Sequence, residues 1–170
     1  MQRGYVEVFV EIPQGSRNKY EYDKARRMFV LDRVLYSSVH YPTDYGFIPD
    51  TLADDGDPLD ALVIVQEPNF PGCLIPARPI GMLDMYDDKG EDEKVLAVPL
   101  GDPRFDGVEQ LADISPHWLR EIENFFQTYK TLEDRLTEVR GWCDAAAAWE
   151  TIERYREAFR GTERPAPPGR

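Results

Sequence analysis

Proline and glycine cut the first two-thirds of this chain into short pieces, and that punctuation limits what it can fold into. With 14 prolines and 12 glycines in 170 residues, long helices are excluded there and short strands joined by turns remain. Residues 5–12 (YVEVFVEI) are β-branched and aromatic, and Pro13 ends the run. Residues 19–23 and 28–35 flank the polar stretch Lys24-Ala25-Arg26-Arg27, which predicts a hairpin. Residues 61–66 (ALVIVQ) form the continuous apolar run of a buried strand. Residues 74–86 and 94–100 give two further strands, joined by the acidic loop Asp87-Asp88-Lys89-Gly90-Glu91-Asp92.

The last third changes period. Ser115-Pro116 sets a capping hydroxyl before a proline at the first helical position. Leu119, Ile122, Phe125, Phe126 and Tyr129 then recur on one face at helical spacing. A second helix is predicted from Ala145 to Arg160, with Trp149, Ile152, Tyr155 and Phe159 as its apolar stripe. Both aromatic stripes are assigned to the core. Residues 1–160 read as one domain, and the proline-rich stretch 161–170 as a disordered tail. Short strands followed by two helices predict a mostly β (α+β) fold: a small closed barrel, without exposed sheet edges, with the two C-terminal helices packed outside.

Composition narrows the function classes. Hydrophobic residues make up 42% and charged residues 31%, enough to bury a core and stay soluble. No apolar run approaches the ~18 residues of a membrane helix, and no basic-then-apolar leader opens the chain. The reading is a cytoplasmic protein with no membrane partner. Cys73 and Cys143 stand far apart without a metal-binding spacing, so two reduced thiols are expected. The net charge of −12 is opposite in sign to what nucleic-acid binding requires. A surplus of carboxylates has two uses, a solvated surface or the collection of hard cations.

Position decides between them. Asp54, Asp55, Asp57 and Asp60 put four carboxylates into seven residues immediately before an apolar strand. Like charges so close need a cation, a shared proton or full solvation. Pro58 fixes the loop's path, and Asp60 sits where an unpaired charge would be costly. The spacing is not that of an EF-hand. With Gly56 as the sixth position the first and twelfth are Thr51 and Leu62; with Gly90 they are Met85 and Leu96. Magnesium, held by a few carboxylates and substrate phosphate oxygens, suits two acidic loops facing one another. Donors for such phosphates are scattered through Lys19, Arg33, Tyr45, Lys94 and Tyr129-Lys130, which spacing alone does not select from 20 basic residues.

Taken together, the segments resemble one family. Asp55-Gly56-Asp57-Pro58-Leu59-Asp60-Ala61 is similar to the DxDPxD signature of soluble, family I inorganic pyrophosphatases. Glu11-Ile12-Pro13, Lys19-Tyr20-Glu21, Leu31-Asp32-Arg33, residues 41–46 (YPTDYG), residues 87–94 and residues 125–130 resemble that family's segments in order, with the run 41–60 closest to the bacterial hexameric branch. The resemblance implies an OB-like five-stranded barrel and magnesium-dependent hydrolysis of pyrophosphate by direct attack of a metal-activated water. It implies several Mg2+ per site, with Mn2+ or Zn2+ as substitutes and Ca2+ as an inhibitor, and a homohexamer. By residue, Asp55, Asp60, Asp87 and Asp92 resemble metal ligands, with Glu11 and Glu21 as supporting carboxylates. Asp57 matches the group that orients and deprotonates the attacking water, and Asp92 is the second catalytic carboxylate. Lys19 and Tyr45 resemble contacts to the attacked phosphate; Arg33, Tyr129 and Lys130 resemble contacts to the leaving phosphate; Lys94 is a further phosphate or carboxylate partner. Asp88 stands where the family pattern has a longer acid.

Two rival readings differ in class. One is a magnesium phosphohydrolase acting on nucleotides or phosphate monoesters. The other is a non-enzymatic OB-type module binding nucleic acid, against which the net charge argues. His40 and His117 have no partner spaced for a metal site and read as structural or surface residues.

Overall fold

The computed structural model describes residues 4–163. In chain order the strands are β1 (Val6–Ile12), β2 (Asn18–Asp23), β3 (Met28–Val34), β4 (Asp44–Phe47), β5 (Asp60–Val63), β6 (Leu74–Asp87), β7 (Gly90–Glu91), β8 (Lys94–Pro99) and β9 (Thr137–Asp144); the helices are α1 (Pro116–Thr128) and α2 (Ala145–Glu163). Strands β1, β4, β5, β8 and β6 pair in that order, and β1 pairs back onto β6, closing a five-stranded ring. All contacts in the ring are antiparallel except β5 with β8, which are parallel. Strand β9 adds to the outer length of β6, and β2–β3 form a separate hairpin.

Alternation along the strands explains why both faces of the ring sheet are buried. Leu62, Ile64, Leu96 and Val98 join Ile122, Phe125 and Phe126 of α1 in one apolar cluster. Ala61, Val63, Val95 and Ala97 join Ile152 and Tyr155 of α2 in the other. Period-two side-chain alternation sends neighbours to opposite faces, so a strand buried on both sides reads as a continuous apolar run. Each fully buried aliphatic side chain contributes roughly 1.5–3 kcal/mol.

The helices begin where their caps place them. Ser115 Oγ accepts from the His117 amide at 3.3 Å, with Pro116 in the first turn. Asp144 Oδ1 accepts from the Ala147 amide at 2.9 Å and caps α2. Helix α2 continues through Glu163, past the Arg160 boundary read from the sequence; from residue 164 onward the expected tail lies outside the described residues. Cys73 and Cys143 are both free thiols.

Three strands had no sequence signal strong enough to name: β4, β9 and the two-residue β7 within the stretch read as an acidic loop. Strand β4 (DYGF) carries an aspartate and a glycine, both poor strand formers, and is held by partners on both sides. Strand β9 is interrupted by Gly141 at φ +140°, beside a register shift opposite Asp84 and Met85. Gly46 has a second reason to lack a side chain. A Cβ there would stand 1.8 Å from the Phe9 carbonyl oxygen, where β1 and β4 cross closely. Gly46→Ala should therefore destabilise the fold by about 1–3 kcal/mol, read as a lowered Tm. A variant melting with the wild type would contradict the β1–β4 register.

Candidate active site

The first acidic loop is shaped by its own backbone. Thr51, 2% exposed, donates from Oγ1 to the Ile48 carbonyl and accepts from the Leu59 amide, fastening the two ends of the loop together. Within it Ala53 N donates to the Asp57 carbonyl at 2.8 Å and Gly56 N to the Ala53 carbonyl at 3.0 Å. Gly56 turns the chain at φ +87°, a conformation that disfavours side chains. Asp55 Oδ1 accepts from the Asp57 amide at 3.0 Å. The second loop is turned by Gly90 at φ +115°, and Asp87 Oδ1 accepts from the Lys89 amide at 2.8 Å.

Strand register brings the two loops together. In the parallel pair β5–β8, Asp60 lies opposite Lys94. The Lys94 ammonium, 2% exposed, donates to Asp60 Oδ2 at 2.7 Å, to Asp92 Oδ1 at 2.9 Å and to Tyr45 Oη at 3.1 Å. Tyr45 Oη donates in turn to Asp60 Oδ2 at 2.6 Å. The rings of Tyr45 and Phe126 each lie 5.2 Å from the same ammonium. Burial works against the charge of Lys94, but Asp60 and Asp92 outweigh it and hold its pKa well above the ordinary lysine value.

Asp55, Asp60 and Asp92 line one cleft with Glu91, Glu93 and Pro58. Asp57 stands on the exposed rim beside Asp55, and Asp88 is exposed on the second turn. Asp87 is buried and faces Lys130, whose Nζ lies 3.4 Å from Asp87 Oδ2. Burial lowers the Lys130 pKa, and Asp87 offsets part of that effect. Tyr129 is buried against Phe125 and Phe126, and its phenol is pushed up, by burial first, while Lys94, Asp92, Asp60 and Asp87 act on it from the cleft. Tyr129 thus belongs both to the apolar stripe and to the site.

The hairpin supplies the remaining cations. Lys19 and Arg33 are cross-strand partners, and both reach Asp32 Oδ2, at 3.3 and 2.7 Å. Lys19 also pairs with Glu21, and Arg33 Nε lies 2.8 Å from Glu133 Oε1. Glu11 connects hairpin and cleft: its carboxylate accepts from the Tyr22 amide at 2.8 Å and feels Asp60, Glu21 and Lys19. The residues named from the sequence therefore fall into a carboxylate cleft, a cationic hairpin and the end of α1, with Glu11 and Lys94 as links.

The negative charge of the cleft exceeds its local counter-charge. Burial, with Asp57, Asp60 and Asp92 nearby, raises the Asp55 pKa above its ordinary value, against the Asp57 amide hydrogen bond. Burial, then Asp60 and Glu21, lift Glu11 to about 7 despite the Tyr22 hydrogen bond and Lys19. Among the described residues no three acidic, histidine or cysteine side chains converge as a ready-made metal site, and the Lys94 ammonium pairs with both Asp60 and Asp92. The donors are all carboxylate oxygens, the chemistry that suits magnesium, and the crowding of unneutralised acids favours a divalent cation. His40 and His117 are both exposed.

Sequence reasoning missed several contributors. Glu133 anchors Arg33, Thr51 closes the first loop, and Tyr155 of α2 bonds to Glu93 beside the cleft. Glu93 adjoins the acidic run and was within reach of sequence reasoning. The Tyr155 hydroxyl was hidden by its place in an apolar stripe.

The Glu11 shift has a signed consequence. Its folded pKa of about 7 lies above the ordinary 4.5, so the native state keeps a proton that the unfolded chain releases between those values. Stability of the metal-free protein therefore falls as pH rises through that window. Glu11→Gln keeps an acceptor for the Tyr22 amide but cannot ionise. In a chelator its Tm should fall less than that of the wild type from about pH 5 to about pH 8. Equal losses in the two proteins would contradict a Glu11 buried at the expense of its charge.

Comparison with known proteins agrees with the fold and the loops. The sequence model of the inorganic pyrophosphatase family matches residues 8–160. An inorganic pyrophosphatase from Synechocystis is 57% identical over 88% of this chain and 89% of its own length. One from Methanosarcina mazei is 54% identical over 89% of this chain and 90% of its own. The crystal structure of the inorganic pyrophosphatase from Thermus thermophilus superposes with a TM-score of 0.90 at 41% identity, covering 95% of this chain and 97% of that one. With the matched segment spanning both acidic loops, the hairpin and α1, the chain belongs to the inorganic pyrophosphatase family.

Proposed function

We propose that this protein hydrolyses inorganic pyrophosphate to two orthophosphates with magnesium as its metal. The observation that carries the reading is the meeting of two acidic loops at Lys94, with Asp55, Asp60 and Asp92 on one cleft. Asp55, Asp60 and Asp92 would hold the first magnesium, and Asp87 and Asp92 one that arrives with substrate, supported by Glu11 and Glu21. When bound, magnesium supplies charge neutralisation and a more acidic water.

The chain's own groups do the rest. Asp57, exposed on the rim, orients the attacking water and takes its proton; Asp92 is the second carboxylate within reach of the reaction. Lys19 and Tyr45 hold the attacked phosphate, while Arg33, Tyr129 and Lys130 donate to the leaving one, with Lys94 as a further partner. The water oxygen bonds to phosphorus, the bond from phosphorus to the bridging oxygen breaks, and orthophosphate departs. Stabilising charge that develops on the leaving group is where fixed donors contribute most. The cations begin the cycle paired with acids, as Lys130 is with Asp87 and Arg33 with Asp32 and Glu133, so a polyanion finds them already placed.

Residues 1–160 form the catalytic unit in this reading, and the assembly is a homohexamer, which would elute near six times the 19.6 kDa chain mass. No helix among the described residues is long and apolar enough to cross a membrane. The free thiols of Cys73 and Cys143 support a cytoplasmic location.

Phosphate release from pyrophosphate and from ATP, each with magnesium, calcium or chelator, tests the function. Release from pyrophosphate with magnesium, little from ATP, and inhibition by calcium are expected. Calcium sits farther from its oxygens and tolerates irregular geometry, so it takes the same carboxylates without supporting attack. Preference for ATP, or equal rates with either ion, would overturn the reading. Asp57→Asn keeps the shape but cannot accept a proton, and turnover should fall by ~10²–10⁴-fold with pyrophosphate binding retained. More than half of wild-type turnover near neutral pH would remove Asp57 from the base role.

A further inference from the structure

Beneath the cleft, the mechanism leaves Tyr155 of α2, Glu93 and Asp54 without a part. Tyr155 is 2% exposed and its ring packs in the apolar cluster with Ile152. Its hydroxyl leaves that cluster, donating to Glu93 Oε2 at 2.9 Å and lying 3.4 Å from Asp54 Oδ2. A phenol has one proton, so the shorter contact takes most of it and Asp54 receives the longer branch. The Tyr155 carbonyl also accepts from the Leu52 amide at 3.0 Å. Arg154 secures the far side: its Nη2 lies 3.0 Å from Glu93 Oε1 and its guanidinium stands 4.6 Å from the Tyr155 ring centroid.

The placement in sequence gives these contacts their meaning. Asp54 immediately precedes Asp55, and Glu93 immediately follows Asp92. A single residue of α2 therefore grips both acidic loops, at one residue's remove from a proposed metal ligand in each. Thr51 fastens the ends of the loop, and between them, where no strand register holds residues 52–58, the contacts to Tyr155 tie it to α2. Burial and the Glu93 bond keep the phenol protonated and able to donate.

We infer that Tyr155 is a positioning residue that sets the separation of the loops bearing Asp55 and Asp92, and through it the affinity of the cleft for a divalent cation. The inference rests on the metal reading above. Groups that orient metal ligands from behind typically change metal affinity when removed, and Tyr155 does so for two loops at once.

The test is magnesium binding to the substrate-free protein by isothermal titration calorimetry, in the wild type, Tyr155→Phe, Glu93→Ala and the double variant. Tyr155→Phe keeps the ring and loses only the hydroxyl, and its Kd for magnesium should rise about 10-fold. In the Glu93→Ala background the phenol keeps only its Asp54 contact, so the same change should add less than it does in the wild type. An unchanged Kd with only a lowered Tm would reduce Tyr155 to a core residue and overturn the inference. Losses that multiply in the double variant would overturn it as well. A wild type that neither binds magnesium nor releases phosphate would sink the metal reading itself, and this inference with it.

Discussion

One buried ammonium organises this molecule's working end. Lys94 is 2% exposed and is held by Asp60, Asp92 and the Tyr45 hydroxyl. A charge removed from water this completely persists only if its partners are present, and deleting one partner of such a group costs several kcal/mol. The partners come from three places: the first residue of β5, the turn before β8, and β4. Their meeting is decided by the parallel register that sets Asp60 opposite Lys94. The packing of α1 through Phe126 and the path of both acidic loops meet at that contact.

The rest of the site carries negative charge that the protein does not neutralise by itself. Glu11 is lifted to about 7 and Asp55 is raised in the same direction, each chiefly by burial. Such arrangements cost stability and are kept where function needs them. The cations Lys19 and Arg33 are not spent on the cleft acids. They are paired with Asp32 and Glu21 on the β2–β3 hairpin and with Glu133, while Glu11 feels both Lys19 and Asp60. Acids on one side and cations on the other suit the substrate proposed above, metal and phosphate together, and agree with the family to which the chain belongs.

Much of this was legible in the residues. A β-branched and aromatic run marked β1, a continuous apolar run marked β5, and helical spacing marked both helices, because a buried face imposes its own pattern. The capping residues Ser115 and Asp144 start their helices where a short side chain precedes the periodic stripe. The segment from Asp55 to Asp60 declared itself through crowded charge beside an apolar strand. What stayed hidden was whatever depends on a distant partner. Strand β4 contains Asp44 and Gly46 and exists because β1 and β5 flank it. Lys94 looks like any surface lysine until β5 is set beside β8. Tyr155 reads as core from its spacing, and its hydroxyl acquires a role only when α2 is laid under the loops.

The central claim, that Asp55, Asp60 and Asp92 share a divalent cation, is tested most directly by crystals soaked in manganese and examined by anomalous scattering. A peak within coordination distance of all three carboxylates, with the Lys94 ammonium at its margin, is the result this account predicts. A peak bound elsewhere in a protein that still hydrolyses pyrophosphate would contradict it.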